Sequence, residues 1–151
     1  MTISWQFKIF SALDTAEIYE ILALRQKVFI LEQKDIYLDA DGKDIEAVHL
    51  SGADQNKLIA YARIILPFNS DKEKSVSFGR VIVDKDYRGR GLAQTLIQKI
   101  FNYLHESIYA AYPVKISAQV YLKNFYESLG FEAISGIYLD GTIPHIDMIR
   151  K

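Results

Sequence analysis

The stretch from Val76 to Leu104 constrains the fold more than any other, because its apolar period changes partway along. Residues 76 to 84 read as an apolar strand, and a polar corner follows. Arg88-Gly89-Arg90-Gly91 then opens a run with apolar residues at 92, 96, 97, 100, 101, 104 and 108. Steps of three and four predict an amphipathic helix of about five turns, its stripe buried as core. A helix N-terminus has backbone N–H groups without internal partners and a partial positive charge. Gly89 and Gly91 let that backbone approach a ligand, and Arg88 and Arg90 add fork-shaped cationic donors. The turn is therefore expected to hold a phosphate-bearing ligand.

Around it the pattern is that of one domain spanning 1–151. Ile3, Trp5, Phe7 and Ile9 alternate with polar neighbours, as in a half-buried strand. Asp14 and Thr15 are candidate helix caps with Glu17 in the first turn, and the following helix is expected to break near Gln26. Residues 34 to 46 are polar and acidic and read as a loop. Strands are predicted at 48–51 and 58–66, with a turn at 69–74 before the strand at 76–84. Further on come a strand at 115–120 and a short helix at 122–129 closed by Gly130. Two last strands are expected at 131–135 and 145–149, separated by the Asp140-Gly141 turn. This order predicts an α/β (α+β) domain with a mixed sheet.

Other phosphate-binding patterns fit poorly. A P-loop requires Lys-Ser or Lys-Thr after its last glycine, and here Leu92-Ala93 follows. A dinucleotide fingerprint requires a third small residue where Gln94 stands, and antiparallel hairpins precede the turn instead of a βαβ unit. Arg88-Gly89-Arg90-Gly91-Leu92-Ala93, after a strand and opening a helix, resembles the acyl-CoA pyrophosphate signature of the GNAT N-acetyltransferase superfamily. Asn124-Phe125-Tyr126-Glu127-Ser128-Leu129-Gly130-Phe131 resembles its second motif. A narrower likeness, to the ElaA-like branch, is carried by Leu24-Arg25, Val28-Phe29, Glu32-Gln33, Tyr37, Asp39, Asp41, Asp44, His49-Leu50, Ala62-Arg63, Gly79-Arg80-Val81, Ala118-Gln119, Tyr121-Leu122 and Ile143-Pro144-His145-Ile146 with Met148. Thr142 lengthens the last of these patterns by one residue.

The resemblance implies a mostly antiparallel central sheet splayed in its middle, with helices on both faces. It implies direct transfer of an acetyl group from acetyl-CoA to a primary amine, of a small molecule or a peptide. The pyrophosphate would sit on Arg88, Gly89, Arg90, Gly91, Leu92 and Ala93. The pantetheine would lie along Val81, Ile82 and Val83, with Gln119 where many members have Asn. Tyr126 stands at the position of the general acid, and a tyrosine of pKa about 10 can serve a thiolate of about 8.5. Glu46, His49 and His145 are candidates for removing the amine's proton, with His49 and Glu46 on opposite faces of a strand.

Arg63 and Arg80 interrupt apolar strands, where an unpaired charge is costly, so pairing with Asp39, Asp41 and Asp44 is expected. Those aspartates read equally as a rim attracting a cationic amine. A calcium loop is excluded because Gly42 falls at the wrong position, and no metal is expected. A formal charge of −1 without a basic stripe argues against nucleic acid. The absence of cysteine, of a signal-like N-terminus and of an apolar run near 20 residues predicts a cytoplasmic protein off the membrane; a monomer or homodimer is expected. Two rival readings are a non-catalytic acyl-CoA sensor and an acyltransferase like the acyl-homoserine-lactone synthases.

Overall fold

Strand β1 (Ser4–Ile9) opens the structure, a computed structural model that describes residues 2–67 and 74–151. Helix α1 (Thr15–Arg25) begins at Asp14 with a reciprocal cap. The Asp14 carboxylate accepts the Glu17 amide at 2.8 Å, and Glu17 accepts the Asp14 amide at 3.0 Å. At Gln26, where a break was expected, the helix widens into a π-helical segment, Gln26–Glu32.

Strands β2 (Val48–Asp54), β3 (Lys57–Ile65) and β4 (Ser77–Val83) join β1 in an antiparallel sheet of order β1-β2-β3-β4. Helix α2 (Leu92–His105) follows and covers one face through Leu96, Ile97, Ile100 and Leu104. The other face packs on α1 and the π-helical segment, where Ile21, Leu24 and Val28 meet Tyr61 and Ile82. The second sheet contains β5 (Val114–Gln119), β6 (Glu132–Ala133), β7 (Tyr138–Asp140) and β8 (Ile143–Arg150), and β8 pairs with the other three. Between β5 and β6 lies the short helix α3 (Lys123–Ser128).

The two sheets meet at one parallel bridge, Val76 with Val114. There the Val76 amide donates to the Pro113 carbonyl at 2.9 Å and the Lys115 amide to the Val76 carbonyl at 2.8 Å. Beyond it no further pairing links β4 and β5 among the described residues, so they diverge as an open V. This is the mixed, splayed architecture that the resemblance implied.

Three local expectations are corrected. Helix α2 ends at His105, and Ile108 is 86% exposed and no part of the stripe. The Ser107 hydroxyl donates to the Leu104 carbonyl at 2.7 Å and accepts the Tyr109 amide at 3.0 Å, competing with helical bonding. The strand expected at 131–135 is only Glu132–Ala133, and β7, which hairpins onto β8 through Gly141 and Thr142, was not foreseen. Most of the turn expected at 69–74 falls outside the described residues.

A β-bulge shapes β4. Tyr61 faces Ile82 and Arg63 faces Gly79, so Ala62 alone spans Arg80 and Val81. Arg80 adopts φ 51°, a left-handed conformation costing about 1–3 kcal/mol in a non-glycine residue. Its side chain is held firmly. Nε donates to Asp39 Oδ1 at 2.8 Å, and the guanidinium lies 5.6 Å from the Tyr37 ring centroid.

Arg80 is part of a larger ionic cluster that pins the 34–46 loop to the α1 face of the sheet. Arg25, fully buried, donates to Asp39 Oδ2 at 2.7 Å and Asp44 Oδ1 at 2.6 Å. Arg63 forks onto Asp41 at 2.9 and 2.6 Å and reaches Asp44 at 3.0 Å. Arg63 and Arg80 thus pair as expected, with Arg25 a partner the sequence reading missed. Since these guanidiniums take up all three carboxylates, the segment is a structural weld. That corrects the reading of a rim drawing in a cationic substrate.

Asp39→Ala leaves Arg25 under-compensated in the interior, with an expected loss of about 3–5 kcal/mol in urea unfolding at neutral pH. Hydrogen bonding from Arg63 holds the Asp41 carboxyl below its usual range; burial opposes ionisation of Asp44, but Arg25 and Arg63 outweigh it. Folded-state pKa values below the unfolded value of about 3.9 give stability that is present above that value and lost as pH falls through the folded ones. The urea midpoint is therefore expected to decline below about pH 4.5, and less steeply in an Asp41→Asn variant.

Candidate active site

The turn after β4 is built to leave donors open. Asp84, buried, caps the short Lys85–Tyr87 turn by accepting the Asp86 amide at 3.0 Å. Gly89 and Gly91 take φ 78° and 75°, conformations in which a side chain is strained, and the space beside each is clear. The first bond of α2 runs from the Thr95 amide to the Gly91 carbonyl at 3.1 Å. The amides of Gly91, Leu92, Ala93 and Gln94 therefore have no helical acceptor. Arg88 Nε donates to the Val83 carbonyl and its Nη2 to Glu32, both at 2.9 Å. Arg90 lies over the Tyr87 ring at 5.2 Å and reaches the Asp86 carbonyl at 3.3 Å. Four open amides and two guanidiniums near a helix N-terminus suit a diphosphate.

The strand before it presents alternate backbone groups to the V. The Asp84 amide bonds the Ile59 carbonyl on β3 at 2.8 Å, whereas the Val83 carbonyl meets Arg88 on the opposite side. By the two-residue period, Val81 and Val83 turn their backbone groups into the gap. Ile82 is the exception among the three expected contacts. Its side chain is buried in the α1 core and its backbone faces β3.

Across the gap, Gln119 ends β5 with its amide paired reciprocally to Gln33 at 3.3 and 3.2 Å. Sequence reasoning gave Gln33 and Glu32 no role, and both close the π-helical side of the V. Tyr126 on α3 is 5% exposed, packed against Phe78, Phe125 and Phe131. Its hydroxyl has no hydrogen-bond partner among the described residues, yet it is not sealed from solvent. Burial, then the nearby Tyr121, pushes its pKa up to about 12, so the hydroxyl stays protonated at neutral pH.

The three candidate bases fare differently. His49 is buried, with Nδ1 2.6 Å from the Tyr61 hydroxyl and Nε2 2.9 Å from the Asp44 carbonyl. A carbonyl only accepts, so Nε2 carries the proton and Nδ1 receives the Tyr61 hydroxyl. Both nitrogens are used internally, which corrects His49 from candidate base to structural residue. Glu46 is exposed at the end of a 3-10 turn, ahead of β2 and not on the strand. His145 on β8 faces Gln119 on one side and Tyr138 on the other. Its Nδ1 donates to the Ile143 carbonyl at 2.8 Å, and Nε2 has no partner among the described residues. The extra residue Thr142 is absorbed in the hairpin, where its amide and hydroxyl donate to the buried Asp35 at 3.2 and 3.1 Å. Among the described residues no cluster of histidine and acidic side chains has the arrangement of a metal site.

The splayed sheet, the amides of residues 91 to 94 without helical acceptors and the Tyr126 hydroxyl without a partner are the features of the candidate site. Residues 26–151 match the acetyltransferase (GNAT) domain, and the chain belongs to that family. It is 37% identical to the protein ElaA of Escherichia coli over 99% of this chain and 97% of that one. The crystal structure of ElaA superposes with a TM-score of 0.91, covering 99% of this chain and all of the other. An acyl-CoA N-acyltransferase from Pseudomonas aeruginosa, 34% identical, gives 0.92 over 99% and 100% of the two chains. No helix among the described residues is long and apolar enough to cross a membrane.

Burial lowers the His49 pKa, outweighing the carbonyl of Asp44. Its stabilising contribution is therefore present above the unfolded value of about 6.5 and lost as pH falls through the folded one. Imidazole NMR is expected to show His49 as the Nε2–H tautomer, titrating below a solvent-exposed histidine.

Proposed function

We propose that the chain transfers an acetyl group from acetyl-CoA directly to a primary amine. The observation that carries this reading is the V between β4 and β5, with the open amides of residues 91 to 94 at one end, together with the buried Tyr126 whose hydroxyl has no partner among the described residues. The diphosphate rests on the Arg88–Ala93 turn, and Arg88 exchanges Glu32 for phosphate oxygen. The pantetheine amides bond Val81 and Val83 as an added strand would. Gln119 releases Gln33 to meet the pantetheine.

The amine nitrogen attacks the thioester carbonyl carbon, a C–N bond forms, and the C–S bond breaks. Tyr126 binds its proton about three orders of magnitude more tightly than a free thiol does. It therefore acts as a hydrogen-bond donor to the departing sulfur, which leaves as a thiolate held by that bond and takes its proton from solvent. His145 accepts the proton from nitrogen through Nε2, its tautomer set by the Nδ1–H bond to Ile143. Glu46 has no comparable orientation. A cytoplasmic location fits a substrate such as acetyl-CoA.

Incubation with acetyl-CoA and a panel of primary amines is expected to release free thiol in step with acetylated amine. Tight acetyl-CoA binding with no turnover on any amine would instead identify a sensor. Tyr126→Phe should lower kcat by about 100-fold while leaving acetyl-CoA affinity nearly unchanged. An unaltered kcat removes Tyr126 from the mechanism. Gly91→Ala forces a Cβ onto a left-handed residue at about 1–2 kcal/mol, so calorimetry should show CoA binding weakened about five- to thirtyfold.

A further inference from the structure

A second cavity lies on the α1 face of the first sheet, toward the β1 edge, with β3 and the rest of β2 between it and the β4 side of the V. Its volume is about 410 Å³. Ser4, Gln6 and Lys8 of β1, Ser51 of β2 and Leu58 of β3 contribute from the sheet, and Asp14, Glu17, Glu20 and Ile21 from the start of α1. Register places Gln6, Ser51 and Tyr61 side by side on the α1 face, which aims Ser51 at the helix.

Ser51 is only 7% exposed, and its hydroxyl makes no hydrogen bond among the described residues. It is not sealed off, because it opens onto the cavity. A buried hydroxyl left without a protein partner favours an occupant that supplies one. The other polar groups show what kind of occupant that is. Lys8 spends its ammonium on both oxygens of Glu17, at 3.0 and 2.9 Å, and the Gln6 amide nitrogen donates to Glu17 at 2.7 Å. Asp14 uses Oδ1 on the Glu17 amide and keeps Oδ2 uncommitted. Glu20 has no partner among the described residues. The two donors nearest Glu17 are thus engaged with it, and the uncharged Ser4 and Asn56 are the remaining donors beside Ser51. With three carboxylates against one ammonium the lining keeps net negative charge, and Glu20, Asp14 Oδ2 and Gln6 Oε1 are open acceptors. Ile21 and Leu58 supply apolar wall.

We propose that this cavity binds a short aliphatic amine as its ammonium ion, at a site separate from the acyl-transfer V. The ammonium donates to Glu20 and Asp14 at the rim and to Ser51 at the floor, and the hydrocarbon lies on Ile21 and Leu58. The site rests on the cavity and on Ser51, not on the proposed chemistry of the V. It stands or falls separately from acetyl transfer.

Amide shifts of the full chain, titrated with 1,4-diaminobutane at constant ionic strength, are expected to change saturably in the millimolar range. 1,4-Butanediol should give no such change. Glu20→Gln should weaken the diamine about two- to fivefold, as loss of one exposed ion pair does. Ser51→Ala should weaken it as well, and circular dichroism and the urea midpoint check that both variants fold. Amide shifts in the wild-type chain should cluster at Ser51, Ala53 and Ile21. An equal response to diol and diamine, affinities unchanged in both variants, or shifts confined to Gln119 and Tyr126 would each overturn the site.

Discussion

The carboxylate of Asp39 joins the parts on which the acyl-transfer site depends. One oxygen takes Arg25 from the end of α1, and the other takes Arg80 from the bulge in β4. Arg80 at φ 51° is an unfavourable conformation that persists because its guanidinium is fixed beyond the strand. An extra residue in one strand of a pair increases twist and bends that strand. Backbone pairing with β5 is therefore confined to Val76, just ahead of β4, and the two strands then diverge. A regular strand continuing the parallel pairing would close the gap and consume the backbone groups of Val81 and Val83. The ionic weld and the open V are linked through the position of one residue.

Charge is partitioned in a way that fits this geometry. Arg25, Arg63 and Arg80 are committed to Asp39, Asp41 and Asp44 inside the fold and leave little field outside it. Arg88 is bound to Glu32 at the surface, in a contact that a phosphate can displace because an exposed ion pair is worth at most about 1 kcal/mol. The same residue type thus serves two purposes, distinguished by burial. Polar groups with no protein partner occur at the α2 N-terminus, at Tyr126 and at His145 Nε2.

Much of the fold could be read from local chemistry. The Asp14 cap with Glu17, the break at Gln26, the glycine turn at 89 and 91 and the stripe of α2 up to Leu104 are each specified by residues close together in the chain. Arg63 and Arg80 announced their carboxylate partners because a charge in an apolar strand must be compensated. Arg25 gave no such signal, since arginine is ordinary at a helix end and its complete burial follows from the loop folding over it. The three candidate bases illustrate the same limit. His49 and His145 are both histidines on strands, and only the partners of their ring nitrogens separate them: Tyr61 and Asp44 for one, Ile143 alone for the other.

The amino-acid sequence by itself determined the donor end of this protein: a glycine-turn helix start followed by a tyrosine motif marks a GNAT acyltransferase, because phosphate binding by backbone amides depends on a few consecutive residues. Tertiary structure alone decided what surrounds it. It set Gln33 against Gln119, Asp35 beneath Thr142 and Ser51 over the α1 cavity. Those pairs lie far apart along the chain, and whether a polar group is satisfied or left open depends on which distant segment packs against it.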